Sequence, residues 1–236
     1  MYLYETHMHT CQGSACGSST GAEHVRFYKE RGYQGIFITD HFFGGNTAAP
    51  RTGSWKDRVD WYCSGFEDAW NEGQRIGLDV FFGIEQNFSG DEYLIYGLDK
   101  EYLLAHPEME HWTRREQLEN VHAAGGCVIQ AHPFRMRGYL SAIHVCDLYA
   151  DGIEVANAGN TPAQDAYADR YCKARASIPS PGRTTISPTR AARSSAWRWT
   201  GLLIPPRTGC STSSPVSPIS WSCPRAALTA TPPWSR

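Results

Sequence analysis

The chain has 236 residues, of which 41% are hydrophobic and 19% are charged, so it can bury a core and is not disordered throughout. It has no run of 18 apolar residues, which excludes a membrane-spanning helix, and no CxxC pair among its eight cysteines, which excludes a zinc ribbon. The N-terminal residues MYLYETHMHT lack the basic and apolar stretches of a signal peptide. We therefore expect a cytoplasmic protein with reduced cysteines.

Charge is divided unevenly along the chain. The net charge is −2, but all 24 acidic residues and all nine histidines lie before Ala176. Residues 1–175 carry 24 acidic against 15 basic residues, a net charge of −9, whereas seven arginines are the only charged residues of 176–236. An acidic first part disfavours a broad nucleic-acid surface, which needs a basic face. The sequence thus divides into a domain over 1–175 and a Ser-, Pro- and Arg-rich tail over 176–236.

Within residues 1–175, short β-rich runs alternate with amphipathic segments. Strands are predicted over 2–5, 35–39, 80–84, 93–96, 128–130 and 152–155, and helices over 22–31, 56–76, 114–124, 140–149 and 161–173. Gly32 and Gly77 mark the ends of the first two helices. Strand–helix alternation without a GxGxxG after the first strand favours a mainly parallel barrel over a dinucleotide-binding sheet.

Polar side chains cluster at the carboxyl ends of the predicted strands. In a parallel barrel these ends form one rim, which is where active sites lie. Five separate strands supply His or Glu to this rim, whereas a chance arrangement would scatter them. The rim candidates are His7, His9, Asp40, His41, Glu85, His132, Glu154 and Asn157.

The histidines and Glu85 have the composition of a metal site. His7 and His9 lie on one side of an extended segment, because side chains alternate with a period of two, and can chelate one cation. Glu85 adds a carboxylate that can bridge two cations, and His41 and His132 add further nitrogens. A mixed nitrogen and oxygen set suits Zn, Mn or Fe, and the lack of cysteine ligands disfavours a purely structural zinc.

Five segments in order carry a resemblance to a known family. ETHMHT, ITDHFF, FFGIEQ, QAHPFR and DGIEVANA resemble the PHP (polymerase and histidinol phosphatase) family, and the resemblance covers residues 1–175. It implies a distorted (β/α)7 TIM-like barrel, a centre of one to three divalent metal ions at the C-terminal rim, and phosphoester hydrolysis.

The same resemblance implies roles for individual side chains. His7 and His9 would bind one metal, and Glu85 would bridge it to a second. His132 would serve the second metal, and His41 would belong to a further one. Arg135, in the segment HPFR, would contact the phosphate of the substrate.

Two features depart from the family pattern. Many members carry another metal-binding histidine on the short strand after the bridging glutamate, where this chain has Tyr93 near the expected place. Members also end the metal set with a Gly-Ser-Asp-x-His-like motif on the last strand, and this chain lacks it. We therefore expect weak metal binding and little activity from the chain as it stands.

The missing motif can be written by residues 178–186 in another reading frame. With the codons of IPSPGRTTI read one nucleotide earlier, the genetic code permits P-V-T-G-S-D-N-H. The same shift over 197–203 permits V-A-V-D-R-P-L, in which the aspartate is forced by Trp199 and Thr200. We interpret the tail as a shifted frame that leaves the last strands of the domain missing or degraded. A genuine solvated Pro- and Ser-rich tail is the alternative.

The leading interpretation is a hydrolase of small phosphomonoesters, such as histidinol phosphate, with neither a nucleic-acid nor a membrane partner. Three alternatives stay open. A nuclease of the same family would need a basic groove or an aromatic platform at the rim. A non-catalytic binding protein would follow from the missing ligands. An amidohydrolase also begins with HxH, although the segment Gln130–Pro133 fits the PHP family better.

Overall fold

The computed structural model describes residues 2–176 and 196–197. The strands are β1 (Tyr4–Met8), β2 (Gly35–Ile38), β3 (Asp79–Phe88), β4 (Asp91–Tyr96), β5 (Cys127–Gln130), β6 (Gly152–Ile153) and β7 (Ala196–Trp197). The helices are α1 (Gly21–Glu30), α2 (Trp55–Ile76), α3 (Lys100–Ala105), α4 (Arg114–Ala123) and α5 (Pro162–Ala176), with 3-10 turns at Pro107–His111 and Asp147–Tyr149. None of these helices combines the length and apolar content that crossing a membrane requires. The segments 178–186 and 197–203 lie outside the described residues, except for Trp197.

Local sequence signals set the helix ends. Thr20 caps α1, and Glu23 returns the bond to the cap backbone in a capping box. Thr113 and Glu116 repeat this arrangement at α4. Gly77 ends α2 in the left-handed region, with φ of 74°, which glycine adopts without a Cβ clash.

One predicted helix is wrong and one helix was missed. The segment 140–149 is a loop that becomes helical only in the 3-10 turn Asp147–Tyr149. Gln130 keeps this segment from forming a helix. Its side-chain amide donates to the carbonyl of His144 (2.8 Å), and its side-chain oxygen accepts from the N–H of Cys146 (2.8 Å), so these backbone groups are bonded outside a helix. The missed helix is α3, which Asp99 caps by accepting from the N–H of Tyr102.

The strands form one sheet in the order β6-β5-β4-β3-β2-β1-β7. The expectation of a mainly parallel sheet is wrong, because β3–β4, β4–β5 and β1–β7 are antiparallel pairs. The cause is a two-residue turn at Ser89 and Gly90, with φ of 55° and 103°, which joins β3 directly to β4 without a crossover helix. The pairs β1–β2, β2–β3 and β5–β6 are parallel, as expected.

The sheet is curled into a half-barrel. Five strand spacings separate β1 from β6, or about 24 Å in a flat sheet. Yet Nδ1 of His7 in β1 lies 3.1 Å from Oε1 of Glu154, which follows β6. Tyr96 of β4 likewise donates its hydroxyl proton to the carbonyl of Thr6, at 2.8 Å. This curl brings the ends of distant strands to one place.

Apolar layers lie on both sides of the curled sheet. The inner layer is made of Phe37, Leu94, Tyr96, Ile129 and Ala131. The outer layers are two clusters of buried residues in which strand side chains meet α1 and α2 and the segments over 98–121. The polar residues at the strand ends are therefore supported by packed apolar layers.

The crossing of α1 over α2 gives a stability prediction. A Cβ at Gly21 would lie 2.2 Å from the carbonyl oxygen of Gly65 and 2.7 Å from the backbone nitrogen of Ala69. Since these are backbone atoms, α2 must move, and Gly21→Ala should lower the free energy of unfolding by roughly 1–3 kcal/mol in urea denaturation. Gly138→Ala is the matched control, because a Cβ there meets no atom within 4 Å. Equal effects of the two substitutions would contradict the packing argument.

Candidate metal centre

An irregularity in β1 turns His7 inward. The pairing of β1 with β2 shifts between Glu5 and Met8. Tyr4 packs on the inner layer, and three residues later His7 also faces inward, whereas Met8 packs in an outer layer.

Glu5 accepts hydrogen bonds from the N–H of His7 and the hydroxyl of Tyr28. Burial is the main cause that raises the pKa of Glu5 to about 8.

The Glu85 carboxylate lies among four imidazoles. Its Oε1 is 3.2 Å from Nε2 of His7 and 3.2 Å from Nε2 of His132. Its Oε2 is 3.3 Å from Nε2 of His9 and 2.8 Å from Nδ1 of His41. The structure thus places His7 and His132 beside one oxygen and His9 and His41 beside the other.

These residues fit a divalent cation. Glu85 is fully buried; its Oε2 lies 2.8 Å from Nδ1 of His41 without hydrogen-bond geometry, and neither atom has another hydrogen-bond partner among the described residues. Burying such groups unpaired is costly, and a cation would compensate both. Three groups of residues could each hold a cation, because within each group one ligand atom per residue lies within 4.8 Å of the others. The groups are His7, Glu85 and His132; His9, Cys16 and His41; and His41, Glu85 and Glu92.

Charge within the cluster sets its protonation. Burial acts to raise the pKa of Glu85, but His7, His132 and His41 outweigh it and hold that pKa well below its usual value. Burial acts to lower the pKa of His7, and Glu154 and Glu85 outweigh it and raise that pKa. Burial lowers the pKa of His9 to about 3 and leaves a neutral ring, the form that binds metals.

Glu154 orients two of the histidines. Its Oε1 lies 3.1 Å from Nδ1 of His7, which leaves Nε2 of that ring to face Glu85. Its Oε2 accepts from the N–H of His132 (2.8 Å), a residue whose positive φ of 28° strains the backbone. The Asn157 amide donates to Glu154 at 2.9 Å. A carboxylate behind a ligating histidine fixes its tautomer and orientation.

Asp40 also lies at the rim, but its oxygens are engaged elsewhere. Oδ1 accepts from the N–H of Thr10 (2.7 Å) and the hydroxyl of Ser14 (2.6 Å), and Oδ2 accepts from the Thr10 hydroxyl (2.7 Å). Ser14 in turn accepts from the N–H of His41 (2.9 Å) and contacts Nδ1 of His9 (3.3 Å). Asp40 therefore positions the loop after β1 and the two imidazoles beside it.

Arg135 reaches the same rim from the β5 side. Its Nε donates to the side-chain oxygen of Asn160 at 2.8 Å, and its Nη2 donates to the side-chain oxygen of Asn157. Asn157 links it to Glu154, so the guanidinium has a fixed plane beside the histidine cluster.

Tyr93 does not join the cluster. It lies opposite Gln86 in the hairpin, on the other face from Glu85, and packs against the Phe88 ring at 5.7 Å between centroids. Glu92 is the residue of β4 that enters the rim, with Oε2 3.5 Å from Nε2 of His132. Our predicted strand began at Tyr93 and so left Glu92 out, although the two-residue turn before it was a usable signal. Cys16, Ser14 and Arg137, whose guanidinium pairs with Glu92, were missed as well.

Comparisons with known proteins place the fold. No family model matches the chain, and no curated protein matches it. A Bifidobacterium adolescentis structure assigned as a metal-dependent phosphoesterase is 15% identical, with a TM-score of 0.50, and the match covers 73% of this chain and 84% of that one. A two-domain Bacteroides vulgatus protein assigned a PHP-like metal-dependent phosphoesterase domain is 14% identical, with a TM-score of 0.57, over 78% of this chain and 50% of that one.

A third solved structure is an amidohydrolase from Chromobacterium violaceum with bound sulfate and no metal. It is 14% identical, with a TM-score of 0.50, over 73% of this chain and 84% of that one. At this level of identity the likenesses show the fold, which is a partial TIM-like arrangement shared with PHP-like metal-dependent phosphoesterase structures.

The orienting role of Glu154 gives a testable prediction. Glu154→Gln keeps the shape but replaces one acceptor oxygen with a donor, so either His7 or the N–H of His132 loses its partner. We expect zinc affinity to fall about 10- to 100-fold in competition with a chromophoric chelator. Glu119→Gln, on the exposed face of α4, is the matched control and should leave affinity unchanged. Unchanged affinity in the Glu154 variant would exclude the orienting role.

The protonation of the cluster gives a second prediction. Burial acts to lower the pKa of His41, but Cys16 and Glu85 outweigh it and raise that pKa to about 10. The pKa of His7 is also raised, so the metal-free cluster holds protons at pH 7. Metals bind neutral imidazole, so zinc binding should release at least one proton and weaken as pH falls. Calorimetry in buffers of different ionisation enthalpy measures this release, and a heat independent of buffer would contradict it.

Proposed function

We propose that this protein is a metal-dependent phosphoester hydrolase that acts on a small phosphomonoester, with histidinol phosphate as the leading substrate. The observation that carries the proposal is the buried Glu85 carboxylate enclosed by four imidazoles. A structural role needs no such density of metal-binding groups, and the fold is one shared with metal-dependent phosphoesterase structures.

Each part of the rim has a task in this reaction. Glu85 and the imidazoles would hold one to three cations of Zn, Mn or Fe. Bound cations at such a centre acidify a water molecule and neutralise phosphate charge. Glu154 and Asp40 keep the imidazoles in place. Glu154 contacts a ring nitrogen of His7 and accepts from the N–H of His132, and Asp40 accepts from the hydroxyl of Ser14, which itself contacts His9 and His41.

Arg135 supplies the substrate contact. A guanidinium is planar and matches phosphate oxygens with two parallel donors. Asn157 and Asn160 fix its orientation, so little conformational entropy is lost when the phosphate binds. The sulfate held by the Chromobacterium violaceum protein, which has the charge and shape of a phosphate group, is consistent with an anion site in this fold.

The surroundings of the rim favour a small substrate over a nucleic acid. Residues 1–175 carry a net charge of −9, and Arg137 is already paired with Glu92. Tyr139, which is 68% exposed and accepts from Arg137, offers an aromatic surface for a single leaving group. These features do not form the extended basic groove that an oligonucleotide requires.

The lysines favour phosphoester over amide hydrolysis. All four lysines of the chain lie in its described part and have partners away from the cluster: Lys29 with the Gly77 carbonyl, Lys56 with Asp60, Lys100 with Asp60 and Glu67, and Lys173 with Asp169. An amidohydrolase centre built around a lysine is therefore not formed.

We also propose that residues 176–236 arise from a shifted reading frame and that the protein is cytoplasmic. The Gly-Ser-Asp-x-His-like motif that ends the metal set of the family is missing from the chain, and residues 178–186 can encode it in another frame. The nucleotide sequence around residues 174–181 tests this interpretation. An in-frame sequence that encodes the tail in independent isolates would exclude it.

Phosphate release is the direct test of the proposed function. The chain and its frame-restored form should release phosphate from small phosphomonoesters when loaded with Mn or Zn, with the restored form faster, and chelation should abolish the activity. Glu85→Gln should remove both activity and bound metal, whereas Glu119→Gln should change neither. Cleavage of oligonucleotides or amides in place of phosphomonoesters, or no hydrolysis by the metal-loaded restored form, would overturn the proposal.

The role of Arg135 has its own prediction. Arg135→Met keeps the length of the side chain but removes the charged donors, so we expect KM for a phosphomonoester to rise about 10- to 100-fold. Arg115→Met is the matched control, because Arg115 pairs with Glu119 on the exposed face of α4. An unchanged KM in the Arg135 variant would place the phosphate elsewhere.

A further inference from the structure

Cys16 lies at the mouth of the histidine cluster. It belongs to the loop between β1 and α1 and is exposed. Its sulfur and one ring nitrogen each of His9 and His41 lie within 4.8 Å of one another. Cys11, the other exposed cysteine of this loop, belongs to none of the candidate metal groups among the described residues.

The loop that carries Cys16 is fixed on both sides of it. Ala15 donates its N–H to the carbonyl of Asn46 (2.9 Å), and Gly17 donates to the carbonyl of Ser14 (3.0 Å). A Cβ at Gly17 would lie 2.2 Å from the carbonyl oxygen of Thr10, so the backbone turns tightly against β1. Backbone contacts of the loop therefore hold the thiol beside the imidazoles.

The two imidazoles present open positions toward the same place. Nδ1 of His9 contacts the Ser14 hydroxyl at 3.3 Å, which directs Nε2 into the cluster. His41 is 7% exposed, and its Nδ1 lacks a hydrogen-bond partner among the described residues. Oε2 of Glu85 lies within 3.3 Å of both rings but accepts no hydrogen bond of good geometry from the described residues.

We propose that Cys16 is a thiolate ligand that completes an outer metal position with His9, His41 and Oε2 of Glu85. The inference deepens the proposed function, on which it rests, by giving one of the metal positions a sulfur ligand. It also revises the expectation of a ligand set without cysteine. When the metal–sulfur bond forms, the thiol proton leaves to solvent and no electron is transferred.

A thiolate ligand changes which metal the position prefers. Soft sulfur favours Zn, and histidine with thiolate gives a tetrahedral set, whereas Mn prefers oxygen ligands. The inner position, with His7, His132 and Oε1 of Glu85, has no sulfur and stays less selective. The two positions would therefore differ in metal preference within one centre.

Cobalt reports the sulfur ligand directly. Co²⁺ added to the metal-free chain should produce a thiolate-to-cobalt charge-transfer absorption in the near ultraviolet. Cys16→Ser should abolish this absorption, and Cys11→Ser, in the same loop, should retain it. The preference for Zn over Mn should also fall about tenfold or more in Cys16→Ser.

The outcomes separate this inference from the proposed function. Cobalt that binds without the sulfur absorption, or an absorption that persists in Cys16→Ser, would overturn the role of Cys16 and leave the metal centre intact. A chain that binds no cobalt at all would overturn the proposed function too. Zinc should slow alkylation of Cys16 in peptide mapping while Cys11 reacts at an unchanged rate, and equal rates with and without zinc would again overturn the inference.

Discussion

The burial of the Glu85 carboxylate is the constraint on which the rim depends. A carboxylate removed from water is stable only when charges or donors compensate it. Here four imidazoles surround it, yet one of its oxygens still lacks a hydrogen bond among the described residues. The arrangement makes physical sense as a site for cations, because Glu85 belongs to two groups whose ligand atoms lie within 4.8 Å of one another, one with His7 and His132 and one with His41 and Glu92.

Two further carboxylates position the imidazoles of this centre through contacts with the protein and are not needed as metal ligands. Asp40 bonds to Thr10 and Ser14 and so fixes the loop after β1. Glu154 fixes a ring nitrogen of His7 and the strained backbone of His132. One anchor thus serves each side of the rim. Their oxygens are engaged with protein donors and rings, which separates positioning from ligation.

Much of the site followed from the sequence because its residues occupy strand ends. The runs before His41 and His132 are short, buried and apolar, so these strands were recognisable and the rim could be placed. The strand predicted over 80–84 runs to Phe88 in the structure, so Glu85 lies within it and not at its end. Glu92 escaped because the turn before it was not read as a hairpin. Cys16 was not predicted because it lies in a loop. The conformation of this loop depends on contacts with Asp40 and Asn46, and no periodic pattern in the sequence indicates it. Tyr93 was wrongly placed at the rim because the face on which a strand residue lies depends on the register of pairing, which the sequence does not show.

The curl of the sheet has a thermodynamic consequence. His7 and Glu154 are 147 residues apart along the chain, so their contact closes a very long loop and exists only after β1 to β6 have assembled. The centre is therefore a product of the complete sheet and not of any local segment. Since ions bind the folded chain, metal uptake and folding form a single linked equilibrium. A weakened core far from the rim would show itself as a lower apparent metal affinity.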